Sequence, residues 1–596
     1  MNNLAQNLYN KLKKINLFIY YLAIILLITP LMIWSMLGDS VTVDEVSHIA
    51  SGYSYVETQD YRLNPEHPPL LKVLSGLSMK ALDSKINLNF DTNSPNWEVN
   101  PNQQWFMGQE FLFKSGNPTD LMVFFARIPN VIIFLILVWY VIYSVYHHTK
   151  SKKIALLSGI FTAFSPNIIA HSRLVTTDTI STLSFIMIAD WFSRYLKNSS
   201  TKNILILSLV LVFGMLSKFS IVMLFPLFIL IWLIYNYLYY KKMFLQRFIL
   251  AIKHSLIFVV IMFFGISLVY QPINYKITTE TQISLIEKSF VSDNQISDIT
   301  KSILTTAVSN PLTKQFGHYL LGQFMVIQRV SGGNNTFLLG QFTNQSFLWY
   351  FPLTYIFKEP LSILILLGTT IMTFVFVILS LGKKSLNYFQ NIYDNKSIYP
   401  IILLLIIIFY WGISISGNLN LGIRHILPVL PLTYILISYF IINYLVYLKF
   451  SNQIIAILIV WYSVTPFITF PHYISHFNLL IGNSDLGYQV FTDSNIDWGQ
   501  DLKRLEIWMD EKNLDSIYLD FFGSYNAEVY LGDKYKPFYP EKGEVKGEYI
   551  AISASKFQDS FYKKQIGESE ADYEWLKWKT PTEIIGNSIL IYKIDN

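Results

Sequence analysis

Apolar residues run along this chain in stretches of about twenty positions, and charged residues gather in the gaps between them. A helix rises 1.5 Å per residue, so about twenty apolar residues cross the roughly 30 Å hydrocarbon core of a bilayer. Such runs occupy 16–37, 119–146, 154–170, 177–196, 203–217, 219–240, 248–270, 350–381, 399–416, 422–447 and 453–470. The pattern predicts an all-α polytopic membrane protein with about eleven transmembrane helices. The first run follows Lys11, Lys13 and Lys14 and has no small-residue cleavage site, so it reads as a retained helix rather than a signal peptide.

Three long polar stretches interrupt this pattern: 38–118, 271–349 and 471–596. In the first, Thr42 and Glu45 are spaced as a capping box, and Pro65–Pro69 opens a second helix that ends near Leu82. The last changes character abruptly. A helix over Gln500–Lys512 and β-type runs at Ser516–Phe522, Tyr549–Ser553 and Ser588–Ile594 predict a small C-terminal α/β domain over 471–596, set against a transmembrane unit over 1–470.

Charge gives these pieces an orientation. Lys152 and Lys153, Arg194 and Lys197, Lys241 and Lys242, Lys383 and Lys384, and Lys449 fall in alternate gaps, together with the N-terminus. By the positive-inside rule that side is cytoplasmic, and an odd number of spans then puts 38–118, 271–349 and 471–596 outside. The chain reads as a multi-pass cell-membrane protein with an extracytoplasmic C-terminal domain. Composition agrees, with 52% hydrophobic, 16% aromatic and only 14% charged residues. The net charge of +5 is scattered rather than striped, which speaks against nucleic acid as a partner, and the absence of cysteine excludes disulfides, thiolate metal sites and a cysteine nucleophile.

Against this apolar background the ionisable residues of the external side stand out. Asp44 and Glu45 lie just past the first span, and His48 follows one turn later. A partly desolvated carboxylate in that place suits a general base, although acids also favour a helix's first turn and Glu45 has a sufficient reason in the capping box. Glu66-His67-Pro68-Pro69-Leu70 pins an acid and an imidazole at a helix start. Arg173 and Asp178 sit between the third and fourth spans, Lys218 in a tight turn between the fifth and sixth, Lys358 two turns into the eighth, and Arg424 with His425 at the start of the tenth. Cations this close to hydrocarbon call for a phosphate or a carboxylate partner. Acids and cations from six distant segments on one membrane face together suggest an anionic, membrane-embedded substrate.

In the tail, Asp493-Ser494-Asn495-Ile496-Asp497-Trp498-Gly499-Gln500-Asp501 spaces oxygens like the start of an EF-hand loop. Trp498 stands at the glycine position and Arg504 at that of the bidentate glutamate, so an Asx turn before a helix is the preferred reading. No metal site or resident cofactor is read, and a divalent cation stays an open alternative.

Asp44-Glu45, Glu66-His67-Pro68-Pro69-Leu70 and Asp178 resemble the corresponding motifs of protein O-mannosyltransferases and lipid A aminoarabinose transferases, both GT-C enzymes. Trp349-Tyr350-Phe351-Pro352 through Lys358-Glu359-Pro360, Arg424-His425-Ile426-Leu427-Pro428 and Asp493 to Leu502 look like segments of prokaryotic glycosyltransferase family 39 members, for which the family supplies no role. The resemblance implies a membrane glycosyltransferase that takes a sugar from a polyprenyl-phosphate carrier and passes it, with inversion, to a hydroxyl of a protein, lipid or glycan. It makes Asp44 the base and has Asp178 orient acceptor or donor sugar. The lipid A enzymes carry a donor-phosphate lysine where His67 stands here. By placement, Lys218, Arg173 and Arg424 are the phosphate clamps, His67 has a weaker claim, and Glu45, His48, Glu66, Lys358 and His425 are supporting. A transporter or lipid flippase is the alternative. It would place charges nearer the bilayer midplane and show paired repeats, and neither is seen.

Overall fold

The computed structural model describes residues 16–292, 294–381, 398–447 and 451–595. Every one of the eleven apolar runs is helical over most of its length. Among the described residues, six helices are long and apolar enough to cross a membrane: Leu17–Leu37, Thr119–Thr149, Phe219–Tyr239, Lys241–Ile273, Tyr399–Ser416 and Ser451–Thr469. Two bent pairs bring the number to eight if each is a single span. The remaining runs are the shorter helices Thr201–Met215 and Val429–Asn443 and the more polar Asp178–Lys197. That last helix is buried almost all round, so its polar residues meet protein instead of lipid. Asp190, for example, accepts from His148 at 2.7 Å and Arg194 at 2.8 Å. Lys383, Lys384 and Lys449, on which part of the orientation argument rests, lie outside the described residues.

The bent pairs correct two expected spans. The run 350–381 is not one helix but Tyr350–Lys358 followed by a second helix at 116° to it. Pro360 explains the break, because it has no N–H to continue the ladder and it forces Glu359 into the extended region, at φ −79° and ψ 138°. Lys358 therefore ends a short helix and is not two turns inside a span. Likewise Lys152–Ala163 turns by 61° into Pro166–Ser172, with Ser165 capping the second piece. The tenth run begins with a 3₁₀ turn at Ile423–Ile426, and its α-helix starts only after Pro428.

At one end of the bundle the first polar stretch forms two helices, Val43–Glu57 and Leu70–Ile86, and a third over Gln103–Gln109 that the sequence pattern did not reveal. The first two touch backbone to backbone. A Cβ on Gly76 would lie 2.0 Å from the carbonyl oxygen of Gly52, so only glycine fits this crossing. Helices Thr279–Ser289, Gln295–Ser309 and Lys314–Gly332 fill the second polar stretch.

The C-terminal region folds as a five-stranded sheet ordered Tyr535–Pro537, Ile517–Asp520, Tyr549–Ser553, Ile589–Lys593 and Glu583–Ile585. The first three strands are parallel and the last two antiparallel. Leu519, Ala551 and Ile591 align across neighbouring strands and are fully buried. The two short strands at 535–537 and 583–585 escaped the sequence reading, since three residues are too few for an alternation to register. This sheet does not stand apart: Leu519, Ala551, Ile591, Leu502 and Leu505 share one apolar core with Val41, Val46 and Ile49 of the first polar stretch.

Candidate active site

The Val43–Glu57 helix starts where the first span ends, and Thr42 caps it reciprocally with Glu45. Asp44 thereby sits in the first turn, where the helix dipole favours negative charge. Its side chain faces a cavity of about 410 Å³ at the end of the bundle. There Asp44 Oδ2 accepts from Arg424 Nη1 at 2.6 Å, a contact between residues 380 positions apart. Burial raises the Asp44 carboxyl, but Arg424, joined by His48, outweighs this and holds it below the usual carboxylate range. Asp44 is thus an ionised acceptor at neutral pH.

Two further ion pairs line the same cavity. Asp178, the first residue of its helix, accepts from Lys218 Nζ at 2.7 Å, and Arg329 lies 3.5 Å from Glu66. Three carboxylates and three cations therefore cancel in charge around a partly open space, in which no group of three or more His, Asp or Glu among the described residues is arranged for a metal ion. His48, His67 and His425 also line it. His48 Nδ1 bonds the Val175 carbonyl at 2.7 Å, and its ring stands 4.9 Å from that of His67. Burial, with His48 and Lys72 adding to it, keeps His67 well below the usual imidazole range. A neutral His67 offers a hydrogen bond and no charge, which corrects its candidacy as a phosphate cation. Apolar side chains line it as well, among them Phe219, Met223, Val326, Ile327, Ile413 and Leu419.

Asp44, His48, Glu66, His67, Asp178, Lys218, Arg424 and His425 thus come together from separate segments. Glu45, Arg173 and Lys358 do not reach the cavity. Glu45 is fully buried, with Arg127 donating to its two oxygens at 2.8 and 2.7 Å and Val175 N–H at 2.9 Å. Arg173 is buried against Asp39, which also accepts from Arg504 at 2.6 Å. Its guanidinium is buried on Asp39, which Arg504 in turn ties to the C-terminal region, and it does not line the cavity. Lys358 has no carboxylate partner among the described residues: its Nζ donates to the carbonyls of Ile474 at 2.6 Å and Asn495 at 2.5 Å. In the EF-hand-like stretch, Asp497 accepts from the Gly499 and Ser555 N–H groups and Asp501 from Ser588 Oγ, so these oxygens are committed within the chain.

The sequence reading missed Arg329, whose helix looked like an ordinary external one, and Lys72. Lys72 is wholly buried, and its Nζ donates to Tyr55 Oη, to both side-chain and main-chain oxygens of Asn64, and to the His67 carbonyl, all within 2.7–2.9 Å. It fixes the loop that carries Glu66 and His67. Its position three residues after Pro69 in an apolar helix was the available signal.

Residues 121–266 match the dolichyl-phosphate-mannose-protein mannosyltransferase family. The match covers about a quarter of the chain; it spans Asp178 and Lys218 and leaves out Asp44, His67 and Arg424. Among solved structures, ArnT from Cupriavidus metallidurans bound to undecaprenyl phosphate is similar over 96% of this chain and 97% of that one, at 9% identity and a TM-score of 0.43. No curated protein matches the chain in sequence.

Proposed function

We propose that the protein transfers a sugar from a polyprenyl-phosphate-linked donor to a hydroxyl of a protein, lipid or glycan acceptor on the extracytoplasmic face of the cell membrane, with inversion. The observation that carries this reading is the Asp44–Arg424 pair, a carboxylate and a guanidinium 2.6 Å apart in a cavity lined in part by apolar side chains. The donor phosphate displaces Asp44 as the partner of Arg424, with Lys218 beside it, and the polyprenyl chain follows the apolar wall. Asp44, released from its cation, becomes more basic at the moment a base is needed. It takes the proton from the acceptor hydroxyl as that oxygen attacks the anomeric carbon. The bond from that carbon to the phosphate oxygen breaks, and its electron pair leaves on polyprenyl phosphate, where Arg424 and Lys218 stabilise the charge. Asp178, fixed by Lys218, orients donor sugar or acceptor.

The test is mass spectrometry of lipid extracted from purified protein, followed by transfer assays with any polyprenyl-phosphate sugar found. Arg424→Gln and Lys218→Gln should each weaken donor binding by the worth of a charge-assisted hydrogen bond, about 1.5–3 kcal/mol or about ten-fold and more. Donor affinity untouched in both folded variants would refute the clamp. A bound donor with no transfer to any hydroxyl would turn the reading towards a carrier.

A further inference from the structure

The Asp493–Asp501 segment plays no part in the reaction above, yet it packs against both halves of the Asp44–Arg424 pair. Its shape is locally determined. Gly499 has φ +81°, and Asp497 accepts from Gly499 N–H at 3.3 Å and Ser555 N–H at 2.9 Å. The resulting turn buries Trp498, which is 1% exposed. From there the residue reaches in two directions. Its carbonyl accepts from the N–H of Val43, the neighbour of Asp44, at 3.0 Å. Its indole lies against the Arg424 guanidinium, 4.3 Å from carbon to ring centroid. The turn before Arg424 is built for this approach: Gly422 has φ +105°, a Cβ there would meet Ser494 Oγ at 2.8 Å, and Asn495 Oδ1 accepts from Ile423 N–H at 2.9 Å.

We infer that Trp498 is a positioning residue of the active site, holding the Asp44 helix by its carbonyl and the Arg424 guanidinium by its ring. A stacked guanidinium keeps all its N–H donors free in their own plane. One edge can then meet Asp44 while others wait for an incoming anion. Asp178 and Asp493 also attract Arg424. Without the ring, Arg424 keeps the Asp44 carboxylate at 2.6 Å and the Leu421 carbonyl at 3.5 Å, and the plane of its guanidinium is free to tilt towards those acids. The C-terminal region on this account braces two residues of the active site from behind the cavity, and the Asp493–Leu502 motif acquires a role. The inference rests on Arg424 as the phosphate clamp.

The experiment is a double-mutant cycle on the full-length protein in detergent, read as affinity for polyprenyl monophosphate, with thermal unfolding of each variant. Trp498→Leu should weaken binding about three- to thirty-fold, the span of a partly to fully desolvated cation–π contact. Trp498→Phe should recover most of the loss. In an Arg424→Gln background Trp498→Leu should cost nothing further, because the ring acts through a cation that is gone. Equal losses from Trp498→Leu in both backgrounds would show a packing role only and overturn the inference, as would wild-type affinity in folded Trp498→Leu. If Trp498→Leu does not fold, Trp498→Met, which keeps bulk without a ring, carries the cycle: a loss in wild type that vanishes with Arg424→Gln supports the inference, and any other pattern overturns it. Wild-type affinity in Arg424→Gln alone would instead refute the clamp reading on which this one stands.

Discussion

Asp44→Asn tests the chemistry most directly, because it removes the base and leaves its shape. The Asp44 and Arg424 side chains are 20% and 12% exposed, so their pair lies between a surface contact and a buried one. An asparagine oxygen still accepts from Arg424, and the expected stability loss is about 1 kcal/mol. Arg424 survives in place, so donor binding should be kept. Proton removal should not be, and general-base catalysis is worth about 10²–10⁴-fold, or about 2.7–5.4 kcal/mol of barrier. Single-turnover transfer with saturating donor should therefore fall at least about a hundred-fold. The pH profile adds a second reading. The Asp44 carboxyl of the donor-free protein is depressed by Arg424, so its active, ionised form persists well into acid, and kcat/KM should decline only below the usual carboxylate range. The same depression means the pair's stabilisation is present above the unfolded-state value and is lost as pH falls through the folded one. Once donor phosphate has taken Arg424, the carboxyl rises, so the acid limb of kcat should lie at higher pH than that of kcat/KM. A near-normal rate for Asp44→Asn at any pH would refute the mechanism, and coincident limbs would refute the exchange of partners on Arg424.

Glu45→Gln should behave differently and worse for folding than the capping box alone implies. Its carboxylate neutralises the buried Arg127, and breaking such a pair costs about 3–5 kcal/mol, so thermal unfolding should show a large loss before any assay of transfer. For topology, single cysteines at the exposed Thr92 and Glu568 should react with a membrane-impermeant maleimide in intact cells, and one at exposed Lys202 only after permeabilisation. The reverse pattern would invert the orientation.

How much of this was legible in the sequence follows from the range of the forces involved. Hydrophobic length and the 3.6-residue helix are local properties, so the apolar runs, the Thr42–Glu45 cap and three of the five sheet strands can be read from neighbouring residues, whereas apolar length alone ran 350–381 together across the break at Pro360. The gathering of Asp44, Asp178, Lys218 and Arg424 at one end was also readable, because loop charge sorts segments between the two faces of a membrane. Which cation meets which acid was not. Arg173 and Arg424 are equally placed along the chain, yet one is sealed against Asp39 and the other faces the cavity, since the partner is chosen by side-chain packing over a few ångströms. For the same reason Lys358 found carbonyl oxygens, His67 lost its charge to burial, and Trp498 of the tail came to lie against Arg424. A charge in a low-dielectric interior must be answered by whatever group lies nearest in space, and only the tertiary structure decides which group that is.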